Sequence, residues 1–176
     1  MVGMRRGLFY ILLFLVVSIF TSFKKPLVED GLYFIISKSK YEMSLYDANN
    51  KWKATYPCVF GNDDQSDKLI QGDRRTPEGT FHIIVKKVHP KWDKYFGLDY
   101  PTPEDMDKFN SRKEKGIIPK NAKIGDGIGI HGTWPKQDFV IDTYQNWTNG
   151  CICTKNEYMD ELYKIIPIGT KVIIVK

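Results

Sequence analysis

The sequence has few of the residues that build disulfide scaffolds or metal sites, with three cysteines and three histidines among 176 residues. An exported protein stapled by disulfides usually has more cysteines and an even number, so at least one thiol here is unpaired or reactive. Cys151 and Cys153 are two positions apart, which is not the usual spacing of a structural zinc site. A metal-binding module, in which Cys151, Cys153, His131 and either Cys58 or His82 would surround zinc, is therefore a weak alternative to the functions considered below. We expect no metal.

The chain also lacks a surplus of charge beyond its first residues. Four of the 26 Lys and Arg lie within residues 1–25, where there is no acid, so the remainder nearly balances its 21 Asp and Glu. The net charge of +5 therefore belongs to the start of the chain. We expect no nucleic acid partner, because such partners need a basic surface on the folded domain.

The start of the chain is the one long apolar run. Arg5 and Arg6 precede an uncharged stretch over residues 7–23, a pattern typical of a signal peptide or an N-terminal membrane anchor over residues 1–25. No Ala-x-Ala site precedes Lys24, so cleavage and retention both stay open. We expect export, with membrane contact only through this segment.

Residues 26–176 form one predicted domain, without repeats or low-complexity linkers. Short runs rich in β-branched and aromatic residues indicate a mainly β fold. The predicted strands cover residues 32–37, 42–47, 52–60, 80–88, 127–131, 139–143 and 170–175. The turn residues at positions 47–50 predict a hairpin between the second and third of these strands.

Two helices interrupt the strands, at residues 103–112 and 155–166. The second has Thr154 as predicted N-cap with Glu157 three residues later, the pattern of a capping box. Its apolar residues recur at helical spacing, which predicts that it packs against the sheet.

Two polar segments near the C-terminal end carry the candidate chemistry. Residues 128–132 form a short strand that ends at His131, and residues 148–154 form a tight turn around Cys151. Because a helix should begin just after Cys151, its positive end should favour the thiolate. Amides of the turn, at Asn149, Gly150 and Cys151, are candidates for an oxyanion site.

A cysteine nucleophile needs a base, and three histidines are available. His82 lies inside an alternating strand and His89 beside Pro90, so ordinary packing or surface roles are expected for both. His131, at a strand end beside a glycine, is the best candidate.

With these residues in place, the sequence resembles the L,D-transpeptidase catalytic domain family, also called the YkuD domain. The signature of that family is His-Gly followed by Ser/Thr-x-Gly-Cys, and residues 131–132 and 148–151 match it. A Thr-Pro-x-Gly-x-Phe turn is matched by residues 76–81, and the closing helix and strand by residues 160–163 and 168–172. The resemblance covers residues 32–176.

The resemblance implies a mainly β, α+β fold, a sandwich or barrel-like sheet with a C-terminal helix packed on it. It also implies a bacterial enzyme of the periplasm or cell wall. Its cysteine would attack the third-residue carbonyl of a peptidoglycan stem tetrapeptide, release D-alanine and pass the thioester to an amine. We expect no cofactor, because thiolate attack needs none, and we expect a monomer.

The same resemblance implies the site roles. Cys151 is the expected nucleophile and His131 its base, with the Gly132 carbonyl orienting the imidazole. Asn149 and Gly150 are the expected oxyanion donors. The expected substrate-binding residues are Thr148, Arg74 and Arg75, although the two arginines have turn stabilisation as an equal alternative.

Two departures from the family pattern leave the reaction open. Asn149 stands where a histidine is frequent, and Cys153 where an arginine is frequent. This variant resembles a branch that includes hydrolases of wall-linked peptide bonds, so carboxypeptidase or amidase activity is an alternative. A non-catalytic wall-binding module is the alternative from another class.

Two further features have open interpretations. Cys153 is expected to be a small buried residue, and a strained redox bond to Cys151 is the alternative. Residues 86–123 are long for a connection, and either a wall over the thiol or an aromatic mini-core for the first helix is expected.

Overall fold

The computed structural model describes residues 31–176, and the predicted leader over residues 1–25 lies outside them. Between residues 31 and 176, every helix is too short or too polar to cross a bilayer.

Eight strands form one mixed sheet, which confirms the predicted fold class. The strands are β1 Tyr33–Ser37, β2 Glu42–Tyr46, β3 Trp52–Pro57, β4 Gly79–His89, β5 Asp93–Leu98, β6 Gly129–His131, β7 Ile152–Cys153 and β8 Lys171–Val175. The helices are α1 Pro103–Glu114, α2 Phe139–Asp142 and α3 Asn156–Ile165. The strand order is β3-β2-β1-β8-β4-β5-β6-β7, with parallel pairing of β1 with β8 and of β6 with β7.

The two ends of this sheet meet, which gives it a barrel-like curvature. Val59 lies two residues after β3, and it pairs with Cys153 of β7 at the opposite end of the strand order. The pairing consists of two reciprocal backbone hydrogen bonds of 2.8 and 2.9 Å. The segment that follows β3 is therefore brought against the strand that follows Cys151.

The core lies on the concave side and is filled by alternate residues of the strands. Phe34 and Ile36 of β1 pair with Val172 and Ile174 of β8, and all four are buried. Such alternation buries one face of each strand. Apolar residues of α3, including Met159, pack into the same core, as predicted for this helix.

The hairpin and the first helix also agree with the sequence predictions. β2 and β3 are antiparallel, and Asp47 accepts backbone hydrogen bonds that close the turn. α1 begins after Thr102, whose hydroxyl caps Asp105 in a capping box. Arg112, in the last turn of α1, bonds Asp67 at 2.6 Å and thereby ties the helix to the loop before β4.

Three local predictions were wrong. The predicted strand over residues 139–143 is instead helix α2, Phe139–Asp142, because Val140 and Ile141 are consecutive and both bury their side chains, which an alternating strand cannot do. The N-cap of α3 is Lys155, and the Thr154 hydroxyl donates to the Pro57 carbonyl instead of capping the helix. The predicted strand over residues 52–60 ends at Pro57.

The long segment over residues 86–123 contains β5 and α1. β5 lies between β4 and β6, so this part of the chain is an interior strand of the sheet. Tyr95 of β5 lines the candidate site, whereas Phe109 of α1 is buried away from it. The part of the segment around Tyr95 therefore forms a wall of the candidate site, and the aromatic mini-core stays a prediction.

Candidate active site

His131 and Cys151 line one cavity because β6 and β7 are neighbours. His131 is the last residue of β6, and Cys151 immediately precedes β7. The cavity has a volume of about 320 Å³. Its lining residues are Lys87, His89, Trp92, Tyr95, Gly127, His131, Trp147, Thr148, Asn149 and Cys151.

The tautomer of His131 follows from its hydrogen bond. The ring Nδ1 lies 2.7 Å from the carbonyl oxygen of Gly132. Because a carbonyl only accepts, Nδ1 must carry the proton, and Nε2 of the neutral ring is left with a free lone pair. The geometry therefore provides a histidine whose second nitrogen can accept a proton.

Aromatic rings enclose the His131 imidazole. Trp92 stacks on it at 4.8 Å between ring centroids, and Tyr95 lies roughly parallel at 6.4 Å. Trp147 approaches edge-on at 5.7 Å. Burial among these groups lowers the pKa of His131 to about 4, because the charged imidazolium loses its hydration.

Cys151 also rests in its neutral form. Its Sγ lies 3.4 Å from the Gly127 carbonyl, to which the thiol donates. Burial raises the pKa of the Cys151 thiol to about 11. The expected thiolate stabilisation by a helix end was wrong, because β7 intervenes and α3 begins only at Asn156.

The turn before Cys151 is held together by the side chain of one of its residues, Thr148. The Thr148 hydroxyl donates to the Cys151 carbonyl at 2.8 Å and accepts from the Gly150 amide at 3.1 Å. Thr148, an expected substrate-binding residue, therefore uses its hydroxyl inside the turn. The Gly150 amide, an expected oxyanion donor, is also used there, whereas Asn149 is exposed at the cavity.

A glycine is required at position 150. Its φ is +118°, which side chains with a Cβ rarely adopt, and a Cβ there would lie 2.7 Å from the Arg75 carbonyl oxygen. The turn is thus packed directly on the backbone of the loop that carries the two arginines.

Arg74 and Arg75 contact protein groups. Arg74 Nε donates to the Thr148 carbonyl at 3.1 Å, and Arg75 pairs with Asp64 at 2.5 Å. Neither arginine lines the cavity that contains Cys151. Their expected contact with substrate stays a prediction, and the observed contacts support the turn-stabilising alternative.

The remaining cysteines are buried and unpaired. Cys153 and Cys58 are both fully buried, and no disulfide joins the three cysteines. Cys153 donates to the Gly132 carbonyl at 3.3 Å, the same oxygen that holds His131. Within residues 31–176, no group of three or more potential ligands is arranged to hold a metal ion.

Six lining residues were not named as site residues from the sequence, namely Lys87, His89, Trp92, Tyr95, Gly127 and Trp147, although the first four lie in the segment expected as a possible wall. A usable signal existed for Lys87 and His89, since positions two apart on a strand share a face. Tyr95 lies in β5 and Trp92 in the connection before it, and β5 was not predicted.

Comparison with known families and proteins identifies what the chain is similar to. The family described as YkuD, L,D-transpeptidase catalytic domain, matches residues 31–174. A protein of Bacillus subtilis (strain 168) named "Putative L,D-transpeptidase YqjB" is 30% identical over 155 residues, covering 85% of this chain and 76% of that protein.

Solved structures share the fold. The helical cell shape determining protein Pgp2 of Campylobacter jejuni is 23% identical with a TM-score of 0.60, covering 84% of this chain and 49% of that one. Bdellovibrio bacteriovorus Bd1075 is 19% identical with a TM-score of 0.58, covering 82% of this chain and 47% of that one. This chain spans about half the length of each. Given the match over residues 31–174, the chain belongs to the YkuD family of L,D-transpeptidase catalytic domains.

Proposed function

We propose that this protein is a peptidoglycan-modifying cysteine acyltransferase. Cys151 attacks the carbonyl of the third residue of a stem tetrapeptide, D-alanine leaves, and the acyl group passes to an amine. The observation that supports this most is the shared cavity of Cys151 and His131, in which the imidazole is fixed with Nε2 as proton acceptor. Family membership supports the same chemistry.

The proton must move during the attack, because both groups rest neutral. As the S–C bond forms, the thiol proton passes to His131 Nε2, and the carbonyl electrons move onto oxygen. The Gly132 carbonyl holds the imidazolium in place through Nδ1. Amides of Asn149 and Cys151 are the proposed oxyanion donors, since the Gly150 amide is already bonded to Thr148.

In the second half of the reaction His131 acts first as an acid and then again as a base. The imidazolium gives its proton to the departing nitrogen of D-alanine as the C–N bond breaks, leaving a thioester on Cys151. An incoming amine then attacks the thioester carbonyl, His131 accepts its proton, and the thiol is restored. Water in place of the amine would give a tripeptide by hydrolysis.

The proposed place of action is the bacterial cell envelope. The basic and apolar pattern of residues 1–25 supports export, with cleavage or anchoring as the two outcomes. Pgp2, one of the structural relatives, is described as determining helical cell shape, which supports a substrate in the cell wall.

The test uses the full-length chain in detergent with a disaccharide tetrapeptide. Intact mass should show a thioester adduct with release of D-alanine, and the adduct should be absent from Cys151→Ala. Cys58→Ala is the matched control, because Cys58 is buried away from the cavity and should leave the adduct unchanged.

The products decide between the reactions. A crosslinked dimer would identify transfer, whereas a tripeptide would identify a hydrolase. If crosslinked and lipoprotein-linked wall fragments also gave neither adduct nor product, the protein would be a binding module and the proposal would be wrong.

A further inference from the structure

The cavity around Cys151 is basic on one side. Lys87 and His89 belong to its lining, and no Asp or Glu does. A cavity with this composition favours ligands that carry negative charge.

The sheet register places this basic side in line with His131. Lys87 pairs with Tyr95 between β4 and β5, and Tyr95 pairs with His131 between β5 and β6. Neighbouring strands lie about 4.8 Å apart, so the Cα atoms of Lys87 and His131 are about 10 Å apart. The Lys87 ammonium lies 5.0 Å from the centroid of the Tyr95 ring, over the ring that also faces His131.

Lys87 has no anionic partner in the part of the chain that the structure describes. Its ammonium lies over the Tyr95 ring, and the other charged group beside it, His89, is a base as well. Nearby Lys94, in contrast, pairs with Asp93 at 2.7 Å and Asp160 at 2.9 Å. An unpaired ammonium in a reaction cavity is a ready donor for a charge-assisted hydrogen bond.

His89 supplies a second donor on the same strand face. It follows Lys87 by two positions in β4, so both side chains project to one side of the sheet. Its Nδ1 accepts from the Lys91 amide at 3.2 Å, which leaves the proton of the neutral ring on Nε2. The ring is held by stacking on Trp92 at 4.3 Å.

We propose that Lys87, assisted by His89, binds a carboxylate of the acyl donor and thereby determines substrate specificity. This inference rests on the proposed function. The carboxylate concerned is one of the two that lie nearest the attacked carbonyl, the C-terminal carboxylate of D-alanine or a side-chain carboxylate on a third-residue diamino acid. An extended residue spans about 3.5 Å, so the C-terminal carboxylate lies about one residue from a carbonyl placed at Cys151. The longer side chain of the third residue carries its carboxylate farther from that carbonyl.

The experiment compares three donors that differ in single carboxylates. The reference tetrapeptide has diaminopimelate at the third position, the second has lysine there, and the third ends in D-alaninamide. Binding to full-length Cys151→Ala is measured by calorimetry, and turnover of the protein with Cys151 intact is measured in parallel. Each is repeated with Lys87→Met, with Lys87→Arg, and with Lys91→Met as control, since Lys91 lies over Trp134 outside the cavity.

We expect Lys87→Met to weaken binding of the reference donor about tenfold or more, the range of a charge-assisted hydrogen bond. The donor that lacks the recognised carboxylate should bind equally weakly to both proteins, which identifies the carboxylate. Lys87→Arg should restore most of the affinity, and Lys91→Met should change nothing.

Equal weakening of all three donors by Lys87→Met, or no weakening of any, would overturn the inference. The failure of the proposed function has a different signature, because binding in the Cys151→Ala background requires no turnover. If binding depended on the carboxylate but the protein with Cys151 intact gave no product, the Lys87 subsite would be supported and the proposed acyl transfer would be wrong.

Discussion

Cys151 and His131 form a neutral pair at rest, and the pKa values of the two residues explain this. Burial raises the pKa of Cys151 to about 11 and lowers the pKa of His131 to about 4. At neutral pH the proton therefore stays on sulfur. In the proposed reaction, proton transfer from the Cys151 thiol to His131 then accompanies formation of the S–C bond with the substrate carbonyl.

The first prediction concerns alkylation of Cys151. Because the thiolate reacts and the thiol pKa is raised to about 11, the rate with iodoacetamide should rise nearly tenfold per pH unit from pH 7 to 10. Peptide mapping by mass spectrometry measures the rate at this residue, with buried Cys58 as an unreactive internal control. A rate that is already constant at pH 7 would instead indicate a thiolate paired with imidazolium.

The second prediction concerns acid stability. Well above pH 6.5 His131 is neutral in both the folded and the unfolded chain, so its titration adds no pH dependence to the free energy of unfolding there. Between pH 6.5 and 4 the unfolded chain binds a proton that the folded chain does not, because the pKa of His131 is lowered to about 4. The free energy of unfolding should therefore fall by about 3 kcal/mol over this interval and then level off.

Urea denaturation at several pH values measures this loss. In His131→Asn this pH-dependent loss of stability disappears. The unfolding free energies of the wild type and the variant, plotted against pH, should therefore converge as pH falls from 7 to 4. Parallel curves would show that the folded protein protonates His131 as readily as the unfolded chain does.

Among the elements, α3 is held at its C-terminal end by a lysine from the sheet. Lys86 Nζ donates to the carbonyls of Tyr163 at 2.8 Å and Ile166 at 2.5 Å. The same ammonium lies 4.7 Å from the centroid of the Tyr163 ring. The positive charge meets the negative end of the helix dipole and satisfies carbonyls that have no partner within the helix.

The third prediction follows from this cap. Lys86→Met should lower the free energy of unfolding by about 1.5–3 kcal/mol, the range for hydrogen bonds to a charged group. Lys87→Met is the matched control for stability, because the adjacent Lys87 is exposed and its side chain makes no hydrogen bond within residues 31–176. Urea denaturation of both variants gives the comparison, and equal losses would contradict the cap.

At the scale of the whole molecule, the curved sheet brings three distant segments together behind Cys151. The Val59–Cys153 pairing closes the sheet, and Arg74 reaches the Thr148 carbonyl from the loop before β4. A Cβ at Gly61 would overlap the Arg74 carbonyl, so the backbones here are in direct contact. The catalytic turn is therefore positioned by the closure of the fold.

The fourth prediction tests Arg74 as a positioning residue. Arg74→Ala should lower kcat of the proposed reaction about tenfold with little change in KM, because the turn loosens while the cavity keeps its lining. Steady-state kinetics with the tetrapeptide measures both constants. A rise in KM at constant kcat, in Arg74→Ala or in Arg75→Ala, would instead show that the arginine holds an anionic substrate.

The sequence predicted most of the fold because its strands and long helices carry local signals. The β-branched and aromatic residues of the run at β1 and the turn residues at positions 47–50 are local signals, and both predictions were confirmed. α2 was mispredicted because its four residues form a helix through packing of Val140 and Ile141, which no local pattern records.

By itself, the sequence determined the family, the mainly β class, and the candidate pair Cys151 and His131, because these depend on residue types and spacing. The tertiary structure alone decided the state of that pair and its surroundings. Burial makes both groups neutral, and strand order brings Lys87, Tyr95 and Trp92 to the cavity from β4, β5 and the connection between them. Burial and strand pairing are long-range properties, so short stretches of sequence do not encode them.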